Sequence, residues 1–116
     1  METTLTQFTD SIATSVVINL GSIERIPPGE GREFVIDENE VAVFRTRSGE
    51  VYAVQAKCPH RHGPLADGLT GGGTVICPFH AFKFELETGQ PIGNDCAALK
   101  TWQVSLSAAG EILLSL

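Results

Sequence analysis

The chain has 116 residues, 42% of them hydrophobic and 19% charged, with a formal net charge of −6. That length suits one domain with a real core and leaves no room for a second. The acidity argues against nucleic acid and anionic membrane surfaces, which attract Lys and Arg, and suits either a basic docking face on a protein partner or ordinary solubility charge.

The opening METTLTQFTD has an acid at position two and no basic leader, and no apolar run approaches the ~18 residues that span a bilayer. The expectation is a cytoplasmic chain with no membrane segment. Residues 1–15, rich in Thr and Ser, are expected to form a flexible N-terminal arm before a domain over 16–116. From Val16 the texture changes. VVINL is a short β-branched run, PPGEG (27–31) a turn cluster, and REFVI and VAVFRT are strand-like runs separated by the acidic turn DENE. RTRSGEVYAV reads as a hairpin about Ser48-Gly49. After CPHRHGPLADG comes a glycine-rich stretch at 71–73, which lacks the Lys-Ser/Thr of a phosphate loop and is read as a flexible turn. TVIC follows as another short strand. Turns at Thr88-Gly89 and Ala109-Gly110 flank LKTWQVSL, and EILLSL closes the chain. No stretch carries a 3.6-residue apolar stripe, and turn signals recur every ~8–12 residues, so the expected class is all-β, a small sandwich or barrel.

The chemistry concentrates in two places. Cys58-Pro59-His60 precedes Cys77-Pro78-Phe79-His80, giving C-x-H, a spacer, then C-x-x-H. Each pair follows a strand-like run, YAVQAK or TVI, so two loops at strand ends could present two thiolates and two imidazoles together. Three readings compete. The plain one is ordinary buried Cys and His, but two pairs, each with Pro directly after the Cys, make coincidence a poor account. Structural zinc accepts two Cys and two His, although C-x-H is tight for one tetrahedral ion. In a [2Fe–2S] cluster of the Rieske type, two Cys hold one iron and two His the other, and a tight C-x-H then spans two metals.

CPHRHGPLADG and CPFHAFKFELETG resemble the two cluster-binding loops of Rieske ferredoxin-type proteins, and the pattern of C-x-H, spacer and C-x-x-H is highly specific to that family. GSIERIPPGEGREF, AVFRTRSGEVYAV and LKTWQVSL fit the same framework, so the resemblance covers residues 16–116. Within the family the chain is most similar to cluster-retaining small subunits of NAD(P)H-dependent nitrite reductases and to ferredoxin components of multicomponent aromatic-ring dioxygenases. The resemblance implies an antiparallel β-sandwich or barrel with two cluster-binding loops and a [2Fe–2S] cofactor bound by Cys58, His60, Cys77 and His80. It also implies one-electron transfer rather than catalysis by this chain alone, with a reductase or terminal oxidoreductase as partner. A zinc-binding or non-redox interaction domain is the alternative from another class.

His62 is expected to be a loop residue near the cluster rather than a ligand, because the family pattern is C-x-H. Cys96, outside both loops, is expected to be an ordinary thiol. Pro59 and Pro78 are read as stiffening the loops, Gly63 and Gly68 as turn glycines, Trp102 as core, and Asp37, Glu38 and Glu40 as a solvated turn. Phe79, Phe82 and Phe84 are read as a dry wall that limits water access to the cluster. High-potential members of the family place a Ser and a Tyr two and four residues after the second His ligand. Here those positions are Phe82 and Phe84, so a potential at the low end of the Rieske range is expected.

Overall fold

The structure is a computed structural model and describes residues 16–59, 61–79 and 81–116. The expected arm over 1–15 lies outside the described residues, as do His60 and His80. Among the described residues, the regular elements are short antiparallel strands and two single-turn 3₁₀ segments. Among these residues no helix is long and apolar enough to cross a membrane.

A six-stranded sheet is built from β1 (Val17–Ser22), β2 (Glu30–Ile36), β3 (Asn39–Arg45), β4 (Val51–Gln55), β9 (Thr101–Leu106) and β10 (Glu111–Ser115), in the order β1-β10-β9-β4-β3-β2. Between β4 and β9 the chain leaves to form a second sheet from β5 (Leu69–Gly71), β6 (Thr74–Ile76), β7 (Lys83–Glu85) and β8 (Pro91–Ile92), in sequence order. Both cysteine-bearing loops belong to this insertion.

Strand β3, one in from the sheet edge, explains how one sheet supports two cores. In β3 the run Val41, Ala42, Val43 and Phe44 is buried throughout, the mark of a strand covered on both faces. Side chains alternate along a strand. Val41 and Val43 therefore join Leu20, Ile26, Ile112 and Leu114 on one side, while Ala42 and Phe44 face the insertion on the other. Strand β4 divides in the same way, with Ala53 in the first core and Val54 in the second. The second core also contains Leu65, Val75, Phe84, Leu86, Leu99 and both Cys58 and Cys77. Each large apolar side chain fully buried there contributes roughly 1.5–3 kcal/mol, so one apolar unit anchors the insertion and surrounds the two thiols.

The turns follow their residues. Asp37 and Glu38 form the two-residue connection from Ile36 to its partner Asn39, exposed as expected of a solvated turn. Asp37 takes φ 56° there, which Asp tolerates better than most residues. The glycine stretch is the turn expected, and a tight one. Gly71 pairs with Thr74, and Gly72 and Gly73, at φ 59° and 77°, close a two-residue hairpin. Two successive positive φ values are what such a hairpin demands.

Candidate metal centre

The two loops begin at corresponding places. Cys77 follows directly on β6, and Cys58 lies just beyond β4, past the bridge that pairs Lys57 with Pro64. Each loop is closed by the same hydrogen bond. The Cys58 N–H donates to the Gly63 carbonyl at 2.8 Å, and the Cys77 N–H donates to the Phe82 carbonyl at 2.7 Å. Both bonds reach five residues ahead and curl each loop around its own cysteine. Within loop one the His62 N–H also donates to the Cys58 carbonyl at 2.9 Å.

The curl requires left-handed backbone at side-chain-bearing residues. Arg61 and His62 have φ of 66° and 57°, and Ala81 has φ of 58°. Such conformations cost of order 1–3 kcal/mol each outside glycine and cluster at functional sites. Here they recur at equivalent positions: Arg61 and Ala81 each stand three or four residues after the cysteine and directly after the histidine of their loop.

The loops meet at one end of the second core. Cys58 and Cys77 are buried, at 0% and 1% exposure. Gly63 of loop one packs so closely on loop two that a Cβ there would lie 2.7 Å from Cys77 Sγ. Gly68 is a second close approach, since its Cβ would meet the Ile76 carbonyl oxygen at 2.2 Å. Both glycines close turns, Gly63 by accepting the Cys58 N–H and Gly68 by donating to the Leu65 carbonyl; neither has positive φ, and each also supplies the absence of a side chain. The Phe79 N–H points at Cys77 Sγ, 3.4 Å away, offering a donor to a thiolate.

The phenylalanines do not form the single wall expected. Phe84 is fully buried and Phe82 packs partly buried against the same core. Phe79 is 46% exposed and sits at the tip of loop two beside Pro78. Arg61, His62 and Ala81 are also exposed, so among the described residues the tips present a cation, an imidazole and apolar surface, with no carboxylate between Cys58 and Gly63 or between Cys77 and Phe82. Trp102 is half-buried against the first core, with the Lys100 ammonium 4.9 Å from its ring centroid.

Two buried thiols on adjoining loops, with an amide aimed at one of them, suit the sulfur half of a Cys2His2 iron–sulfur site. His60 and His80, the expected nitrogen half, lie outside the described residues. Among the described residues, no three His, Cys, Asp or Glu side chains gather to hold an ion. Cys96 is half-buried, packs at the margin of the second core, and has its N–H held by Asn94 Oδ1 at 3.0 Å.

Comparison with known proteins bears on the same residues. The family model described as "Rieske [2Fe-2S] domain" matches residues 16–103. The biphenyl dioxygenase ferredoxin subunit of a Pseudomonas species is 32% identical over 87 residues, covering 73% of this chain and 79% of its own. Some curated relatives are much longer. The chain spans 16% of the 4beta-methylsterol monooxygenase of Methylococcus capsulatus, at 36% identity over 53% of this chain, and 14% of the cholesterol 7-desaturase of Xenopus laevis. Among solved structures, the ferredoxin of carbazole 1,9a-dioxygenase from Nocardioides aromaticivorans superposes with TM-score 0.76 at 27% identity, covering 84% of this chain and 95% of that one. A chain described as an NADH-dependent nitrite reductase small subunit from Mycobacterium tuberculosis shares the fold, with TM-score 0.82, 23% identity and coverage of 90% and 97%.

Proposed function

Because the chain belongs to the Rieske [2Fe–2S] domain family, we propose that it relays single electrons between a reductase and a terminal oxidoreductase, in the cytoplasm, through a cluster held by Cys58, His60, Cys77 and His80. The observation that carries this reading is the pair of buried cysteines brought together by two loops of the same construction. The [2Fe–2S] cluster supplies a one-electron couple. The protein's own residues do the rest. Leu65, Leu86, Leu99 and Phe84 keep water from the sulfur side. The Phe79 amide offers charge-assisted stabilisation to Cys77. The exposed loop tips leave the opposite side open to a partner.

Two systems fit a carrier of this size. One is an assimilatory NAD(P)H nitrite reductase, with this chain as the small subunit; near full-length agreement in fold with the Mycobacterium chain supports it. The other is a multicomponent aromatic-ring dioxygenase, with this chain as the ferredoxin; its support is sequence identity to the biphenyl dioxygenase ferredoxin subunit. The net charge of −6 supports a partner with a basic docking face, attracted at long range. The test is stopped-flow reduction of the purified protein by a flavin reductase of each system, followed by reoxidation with each terminal component. Single-electron bleaching with one system, slowing as salt rises, is expected. A colourless, zinc-containing protein that accepts no electron would overturn the reading.

A further inference from the structure

Gln55 ends β4 and lies on neither ligand loop, yet it meets both ends of the insertion. Its backbone N–H donates to the Lys100 carbonyl at 2.8 Å. Its side-chain Oε1 accepts the Lys100 N–H at 2.7 Å, and its Nε2 donates to the Lys57 carbonyl at 2.7 Å. Lys57 is the outgoing end of the insertion and Lys100 the returning one, 43 residues apart by their numbers.

The Lys57 carbonyl belongs to the same peptide unit as the Cys58 N–H, which donates to the Gly63 carbonyl at 2.8 Å. That peptide is thus held at its oxygen by Gln55 and at its nitrogen by Gly63. A planar unit fixed at both polar ends has little freedom to rotate, and its plane sets the direction in which the Cys58 side chain leaves the backbone. Few side chains could make this clasp. It needs one acceptor and one donor at the same reach. A carboxylate only accepts, an ammonium only donates, and Asn is a methylene shorter.

We propose that Gln55 is a positioning residue for the cluster: its carboxamide ties together the two ends of the insertion and orients the Cys58 thiolate. This rests on the reading of Cys58 as a ligand.

The test compares the cluster-loaded wild type with Gln55→Leu, which removes both side-chain bonds, and Gln55→Glu, which keeps the acceptor for Lys100 and loses the donor to Lys57. Hydrogen exchange is read in residues 56–63 and at Lys100, together with iron release to a chelator and the reduced-state EPR line shape. In Gln55→Leu, exchange in both segments and iron release rise about tenfold, the effect of about one lost hydrogen bond, and the EPR line shape changes while far-UV circular dichroism does not. In Gln55→Glu, exchange rises in 56–63 and stays slow at Lys100. Exchange and iron release within about twofold of wild type in Gln55→Leu overturn the proposal. If the leucine variant does not fold, the glutamate variant decides: loosening confined to 56–63 supports the clasp, and uniform or absent loosening overturns it. If the wild type carries no cluster, the reading of Cys58 fails, while the exchange arms still decide whether Gln55 holds the insertion.

Discussion

Gly63 of the first loop stands against Cys77 of the second: a Cβ built on Gly63 would lie 2.7 Å from Cys77 Sγ and 3.2 Å from the Phe79 ring. The two ligand loops are therefore spaced by a missing side chain. A methyl group there must push the sulfur or part the loops, because Cys77 is buried and has no room to yield.

Gly63→Ala is accordingly expected to lower stability by about 1–3 kcal/mol, the usual cost of overpacking, and to reduce the iron retained per chain. Gly71→Ala is the control. Nothing lies within 4 Å of its added Cβ and its φ is not positive, so it should stay within about 0.5 kcal/mol of wild type. Thermal unfolding with iron analysis checks both. Equal iron and equal stability in the two variants would show that the loops are not in close contact.

Tyr52 supplies a pH dependence far from the loops. Its pKa is raised above the ordinary 10.0, first by partial burial and then by the carboxylates of Glu50 and Glu87. The folded state therefore holds the phenol proton more tightly than the unfolded chain. The associated stability is intact below the unfolded pKa and is lost as pH rises through the higher folded value. Urea unfolding from pH 8 to about 11.5 should show a steeper alkaline decline in wild type than in Tyr52→Phe. Parallel declines would remove Tyr52 as the cause.

The reduction potential should lie at the low end of the Rieske range of ≈ −150 to +300 mV. Phe84 is buried in the core and Phe82 packs against it, so neither position offers a hydroxyl donor. Two absent charge-assisted bonds at ~1.5–3 kcal/mol each, with about 59 mV per tenfold change for one electron, correspond to a lowering on the order of 130–260 mV. Protein-film voltammetry at pH 7 should give a value below about +100 mV. A higher one would mean that backbone donors such as the Phe79 amide replace the missing hydroxyls.

Much of this architecture was legible in the residues. The VAVF run, the Ser48-Gly49 hairpin and the strand before each cysteine all follow from β-branched alternation and turn chemistry, and the Cys pairs with their prolines announced two like loops. What could not be read is spatial. The alternation of Val41 and Ala42 does not say that each face of β3 has its own core, because that depends on the insertion folding back. Gly63 and Gly68 read as turn residues in one dimension and close turns; their further contact with Cys77 and Ile76 is something no local pattern encodes. Phe79 carries the same apolar signal as Phe84, yet a loop tip exposes one and a paired strand buries the other. Gln55 has no motif at all, since its partner Lys100 is 45 positions away. The left-handed backbone at Arg61, His62 and Ala81 was equally silent, because these residue types do not advertise positive φ as glycine does.

The central claim is that one histidine from each loop, His60 and His80, completes the set begun by Cys58 and Cys77. Electron–nuclear double resonance on the reduced protein, run beside iron and sulfide analysis of wild type, His60→Ala and His62→Ala, tests it most directly. The account predicts two irons and two sulfides per chain with nitrogen couplings from two imidazoles in wild type, both unchanged in His62→Ala, and loss of the cluster or of one coupling in His60→Ala. A wild-type protein containing zinc instead of iron, or a His60→Ala variant with both nitrogen couplings intact, would contradict it.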